Sequence, residues 1–197
     1  QRDERMGEEA NWGRAGRCGA TGDAGDSEHA DHGATQTPYL QSRHRLIALA
    51  HRGFSLAGLE NSLAAFEAAR DLGLDHVETD VHATADGVAV ALHDAMLDRT
   101  TDAQGAVAAL PWRTVRAARI GGIEPVPRLD DLLGSWPDLN VNIDIKADGG
   151  IEPTLAAIER AGAWDRVCVT SFSTRRRRRA VALASRPVAT SPGVGEM

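Results

Sequence analysis

Four short strings carry residues able to move a proton or hold a metal: His51-Arg52-Gly53, Glu78-Thr79-Asp80, His93-Asp94 and Asp144-Ile145-Lys146. Each lies in or just after a short apolar run, at 46–50, 77–81, 88–92 and 141–145. Alternate residues of a strand share a face, so Glu78 points with Asp80, and Asp144 with Lys146. Carboxylates converging in a partly dry site cannot all stay ionised without a compensating cation, and hard oxygen donors favour magnesium, calcium or manganese. Glu78, Asp80 and Asp144 are therefore candidate ligands of a divalent metal ion, Mg2+ or Ca2+, with Mn2+ a further choice. Imidazoles titrate near neutral pH, which suits one of His51 and His93 to accept a proton from an attacking oxygen and the other to protonate a leaving alcohol. Arg52 and Lys146 would supply positive charge for a phosphate.

These groups need a frame that brings them together. The apolar runs alternate with helical patterns at 62–71, 128–133, 153–161 and 174–184, and further runs follow at 167–169 and around Val188. Strand then helix, repeated, predicts a parallel sheet. Six candidate strands suit either an open doubly wound sheet or an unfinished barrel, and periodicity does not choose between them. Polar groups at successive strand ends sit where parallel α/β barrels build their sites. Asn61 and Ser62 can cap the first helix, Pro153 fits a first helical turn, and Gly73 and Gly162 fit helix stops.

Residues 1–39 contain no Val, Leu or Ile but seven glycines, which leaves little to offset ordering entropy. The expected division is a disordered tail at 1–44 and one domain at 45–197. A net charge of -6 and a pI near 5.6 argue against a nucleic-acid partner, and a small anionic substrate would need a local positive site. No apolar run approaches the ~20 residues of a membrane span, so the reading is a cytoplasmic protein without stable membrane insertion.

Other residues invite functional readings that their context does not favour. His76 and His82 share strand parity with Glu78 and Asp80 but flank them, and are read as structural. His29, His32 and His44 belong to the tail or its junction and are read as solvated. The five arginines at 175–179 spread around a helix instead of forming a stripe, and are read as a solvated helix start. The run at 98–105 is assigned a turn role with no chemistry of its own, and Cys168 a buried, apolar one.

Taken in order and spacing, the strings HRG (51–53), LEN (59–61), ETDVHATADG (78–87), HD (93–94), DRTTDAQG (98–105) and NIDIK (142–146) resemble the glycerophosphodiester phosphodiesterase family. The resemblance runs over residues 46–196. It implies an α/β TIM (β/α)8-type barrel with a small insertion at about 94–125, and hydrolysis of a glycerophosphodiester to glycerol 3-phosphate and an alcohol. By motif, His51 and His93 resemble the family's acid and base, Glu78, Asp80 and Asp144 its metal ligands, and Arg52 and Lys146 its phosphate contacts. Glu60, in LEN, resembles a further site residue or one that supports the site from behind. Two departures carry consequences. Asp144 stands where the family commonly has Glu, which withdraws the carboxylate by one methylene. The chain also ends after six expected strands, short of the about eight of a closed barrel, with an open edge as the expected result. The alternatives are an impaired or merely phosphate-binding fragment, and a related barrel phosphodiesterase of lysophospholipase D-like or phosphoinositide-cleaving type.

Overall fold

The computed structural model describes residues 38–42, 44, 46–55 and 58–191. Its main sheet is built from β1 (Leu49–Ala50), β2 (His76–Ala83), β6 (Asn140–Ile145) and β7 (Val167–Thr170), which pair in that order, all parallel. The helices α1 (Leu63–Asp71), α3 (Leu129–Ser135), α4 (Ile151–Arg160) and α5 (Thr174–Leu183) intervene along the chain. The fold class is α/β, with the strand-then-helix order of a TIM-type barrel over part of its circuit.

The register makes the sheet two-faced. Val77 pairs with Val141, Thr79 with Ile143 and Val81 with Ile145, so one face is almost wholly aliphatic. It packs against Phe66 and Ala69 of α1, Leu129, Leu132 and Leu133 of α3, Ile151 and Ile158 of α4, and Ala180 of α5. Burial of each large aliphatic side chain contributes about 1.5–3 kcal/mol, so this face stabilises the sheet. The other face carries Glu78 opposite Asn142 and Asp80 opposite Asp144, with Cys168 and Thr170 next to them on β7. The apolar layer thus holds rigid strands whose opposite face is polar and buried.

The third apolar run differs from expectation. Strand β3 (Ala89–Ala91) pairs antiparallel with β2, Val81 opposite Ala91 and Ala83 opposite Ala89. The cause is length: residues 84–88 make a tight turn, with Gly87 donating to the Thr84 carbonyl at 3.0 Å, whereas a parallel partner needs a crossover of about a dozen residues. The expected succession of six strands is therefore four parallel strands, one antiparallel hairpin strand and a parallel bridge between Cys168 and Ala189, near Val188. Among the described residues the sheet is open, with β1 at one edge and that bridge at the other.

Beyond β3 the chain makes an excursion through α2 (Trp112–Val115) and the small hairpin of β4 (Arg119–Ile120) and β5 (Glu124–Pro125). Leu92, Leu97, Val107, Val115, Ile120 and Val126 give it an apolar cluster of its own. At the other end, Tyr39 is buried and its carbonyl accepts from His76 Nε2 at 2.8 Å, so the folded body reaches ahead of the boundary expected at residue 45. His76 also meets Asp75 Oδ1 at 2.7 Å and is a structural residue. The rest of the expected tail, with His29, His32 and Cys18, lies outside the described residues. His44 is exposed, with its ring 3.0 Å from the Gly73 carbonyl. Cys168 is buried and free, and burial pushes its thiol up to about 11, so it stays protonated. Among the described residues no helix is long and apolar enough to cross a membrane.

Local chemistry sets the approach of the first strand end to α1. Ser62 Oγ caps the helix by accepting from the Ala65 amide at 3.1 Å. Gly53 has φ +76 and rests on that first turn, where an added Cβ would lie 2.7 Å from the Ala65 carbonyl carbon. Gly87 has φ +80 with nothing within 4 Å of such a Cβ, and so isolates the conformational part of the penalty. Left-handed backbone costs a non-glycine residue about 1–2 kcal/mol. Gly87→Ala should lose about that much in urea unfolding, and Gly53→Ala clearly more, because α1 must also move.

Candidate metal centre and the histidines beside it

Pairing of β2 with β6 brings Glu78, Asp80 and Asp144 together, each buried, with one oxygen of each within 4.8 Å of the others. Their partners leave the cluster short of positive charge. Lys146 Nζ lies 2.7 Å from Asp80 Oδ1 and 2.7 Å from Asp144 Oδ2. Burial alone would lower the Lys146 pKa, but its hydrogen bonds to Asp144 and Asp80 outweigh that and hold it raised. Glu78 Oε2 accepts the Arg52 backbone N–H at 2.9 Å. Burial first, and then the charge of Asp80, push the Glu78 carboxyl up to about 7. Asp144 Oδ1 is buried with no hydrogen-bond partner. An ion-pair cluster that existed only for stability would leave neither a carboxyl held near neutrality nor an orphaned carboxylate oxygen. Three hard oxygen donors with that deficit fit a divalent cation.

The site's support comes from the turn between β1 and α1. Asn61, at φ 60 and fully buried, accepts at Oδ1 from Thr79 Oγ1 (2.8 Å) and from the Asp80 amide (3.2 Å). Its Nδ2 donates to Asp80 Oδ2 at 3.0 Å, and its backbone amide donates to the Arg52 carbonyl at 3.0 Å. One side chain thus aims Asp80 and one amide pins the arginine turn. Asn61 was expected only as a possible helix cap; Ser62 performs that role. A polar residue beside a cap that also tolerates left-handed backbone is the signal that could have found it.

Arg52, itself at φ 56, donates from Nη1 to Glu60 Oε1 at 3.1 Å. Its buried Nε is 3.1 Å from Asp80 Oδ2, near enough for an ion pair yet misaligned for a hydrogen bond. Glu60 lies between two arginines, since Arg99 Nη2 also reaches its Oε1 at 2.6 Å. Burial would raise the Glu60 carboxyl, but Arg99 and Arg52 together hold it below the usual range.

The two histidines stand on separate strand ends. His51 is exposed, with Nε2 3.8 Å from Glu78 Oε2. His93 is half-buried, and its Nδ1 meets Asp94 Oδ1 at 2.6 Å. Hydrogen bonding by Arg99 above all, with help from His93, holds Asp94 well below the ordinary carboxylate range. An ionised carboxylate only accepts, so Nδ1 of His93 is the donor in this contact. His82 is structural: burial keeps it neutral, and its Nε2 donates to the His93 carbonyl at 3.0 Å.

Two further surfaces flank the site. The ring of Phe172, which is largely exposed, lies 5.4 Å from Lys146 Nζ. The arginine run is exposed at Arg175, Arg178 and Arg179, as read from the sequence, and also pairs with carboxylates. Arg175 and Arg176 pair with Asp148, Arg179 with Glu152, and Arg176 also donates to the Ile145 carbonyl at 3.2 Å.

Known proteins resemble this chain over most of its length. Residues 51–193 match the model of the glycerophosphoryl diester phosphodiesterase family. The chain is 50% identical over 169 residues to a probable glycerophosphodiester phosphodiesterase 2 of Mycobacterium tuberculosis, covering 85% of this chain and 64% of that protein. It is 35% identical over 144 residues to a glycerophosphodiester phosphodiesterase of Caldanaerobacter subterraneus, covering 66% and 59%. Among solved structures, a glycerophosphodiester phosphodiesterase from Agrobacterium tumefaciens superposes with a TM-score of 0.64 at 31% identity, over 69% of this chain and 62% of that one. An Oleispira antarctica phosphodiesterase, solved with its product sn-glycerol-3-phosphate, gives 0.63 at 27% identity, over 72% and 63%. The chain thus spans a little under two thirds of these relatives' lengths. With its buried carboxylates, its two histidines and the ordered motifs that carry them, this chain belongs to the glycerophosphoryl diester phosphodiesterase family.

Proposed function

We propose that the protein hydrolyses glycerophosphodiesters to glycerol 3-phosphate and an alcohol, with a divalent metal held by Glu78, Asp80 and Asp144. The observation that carries the reading is the buried carboxylate cluster with one orphaned oxygen, with His51 Nε2 3.8 Å from Glu78 Oε2. A cation there, magnesium, calcium or manganese, would offset the charge that develops on the phosphoryl oxygens.

The chain's own residues do the rest. Arg52 and Lys146 border the carboxylates and present positive charge to the phosphate. One of His51 and His93 takes the proton of the attacking oxygen as its bond to phosphorus forms. The other protonates the alcohol oxygen as its bond to phosphorus breaks. His51 Nε2, near Glu78, and the His93 ring nitrogen not engaged by Asp94 would make these transfers. Exposed Phe172 beside Lys146 favours a second reading in which the substrate carries an apolar chain. A lysophospholipase D of Rattus norvegicus is 32% identical over 123 residues, covering 56% of this chain and 38% of that protein. Faster release of choline from lysophosphatidylcholine than from glycerophosphocholine would select it.

Three measurements test the proposal. Turnover of glycerophosphocholine should vanish on chelation, and His51→Ala and His93→Ala should each lower kcat by ~10²–10⁴-fold with metal still bound; near-normal turnover would remove that histidine from the reaction. In calorimetric titration with Mg2+, Glu78→Gln and Asp80→Asn should weaken binding, and unchanged affinity in both would put the metal elsewhere. The third is a pH dependence. The folded Glu78 carboxyl, raised from 4.5 to about 7, binds more protons than the unfolded chain between those values, so its stabilisation falls as pH rises through that window. Compared with Glu78→Gln, the metal-free protein should lose stability from pH 4.5 to 7, at most roughly 1.4 kcal/mol per pH unit. Saturating Mg2+ should remove the difference in slope.

A further inference from the structure

Arg99 lies in the run at 98–105, where sequence reasoning expected a turn without chemistry. Its guanidinium forks onto Asp94, Nε to Oδ2 at 2.5 Å and Nη2 to Oδ1 at 3.1 Å, while Nη2 also reaches Glu60 Oε1 at 2.6 Å. Asp94 Oδ1 is the oxygen that receives His93 Nδ1. Glu60 Oε1 is shared with Arg52, whose backbone amide holds Glu78. A continuous line of contacts therefore runs from the His93 ring to the carboxylate cluster, and Arg99 is its middle link.

We propose that Arg99 is a positioning residue: by gripping Asp94 it fixes the Nδ1–H tautomer and the orientation of His93, and through Glu60 it ties that histidine to the Arg52 turn. The inference rests on the proton-transfer role of His93 proposed above. Exposure of half the Arg99 side chain argues against a large stabilising role, because solvent screens exposed ion pairs. The planar fork acts instead on direction, since it engages both Asp94 oxygens and so stops the carboxylate turning away from the imidazole.

Two separate sets of contacts hold the backbone on either side, so the guanidinium can be removed without dismantling it. The His93 carbonyl is held by His82 at 3.0 Å. The loop of Arg99 is held by buried Leu97, whose carbonyl receives the Thr101 amide at 3.0 Å, and by Asp98 Oδ2, which accepts from the Gly105 amide at 3.0 Å. Loss of Arg99 should free the ring of His93 while its main chain stays in place.

The test compares wild type with Arg99→Ala and Arg99→Lys, each checked for an unchanged urea midpoint. Ring 15N shifts of His93 should report Nδ1–H in the wild type and a mixture of tautomers in Arg99→Ala. With glycerophosphocholine, kcat should fall about tenfold or more, a part of the ~10²–10⁴-fold that positioned proton transfer supplies, with KM changed less than about threefold. Added guanidinium ion should restore part of the Arg99→Ala rate, and Arg99→Lys, which keeps the charge without the fork, should stay well below wild type. Unchanged tautomer populations and an unchanged kcat in Arg99→Ala would overturn the proposal. Should Arg99→Ala fail to fold, Arg99→Lys decides by the same two readouts. An inactive wild type would instead sink the phosphodiesterase reading, and the tautomer comparison would still decide on Arg99.

Discussion

The parallel pairing of β2 with β6, with Asp80 opposite Asp144, is the constraint on which the rest depends. It places acidic side chains opposite each other on a buried face, and repulsion within that set must be offset for the sheet to form at all. The offset comes in three ways: Lys146 two residues beyond Asp144, Arg52 on the turn after β1, and the aliphatic opposite face, whose burial against α1, α3 and α4 holds the strands in register. The residual imbalance, visible in the Glu78 carboxyl and the orphaned Asp144 oxygen, is what a bound cation would relieve. Stability and function are separated by strand parity.

Much of this was legible in the sequence because parity is a strong signal. Glu78 with Asp80, and Asp144 with Lys146, could be placed on shared faces from spacing of two alone. Helix caps at Ser62 and stops at Gly73 and Gly162 were readable for similar local reasons. Strand direction was not: residues 88–92 have the same apolar character whether they run with β2 or against it. The five-residue link ending in Asp86-Gly87-Val88 held the answer, since it is too short for a crossover.

The supporting network was harder to read for a different reason. Glu60 stood out only through its LEN motif, while Asn61, Asp94 and Arg99, in contacts that span up to 39 residues of sequence, each have an ordinary local explanation as cap, loop or surface charge. Only the fold shows that Asn61 addresses both Asp80 and the Arg52 turn, and that Asp94 serves a histidine. The arginines at 175–179 keep their reading as an exposed helix start, to which the fold adds pairing of Arg175 and Arg176 with Asp148 and of Arg179 with Glu152.

The central claim is that the buried carboxylates form a cation site and not a closed set of ion pairs. Anomalous diffraction at the manganese edge, from crystals equilibrated with Mn2+, tests it without reference to activity. The account predicts a single strong peak coordinated by Glu78, Asp80 and Asp144. A cluster free of anomalous density at saturating manganese, with Lys146 still bridging Asp80 and Asp144, would contradict it.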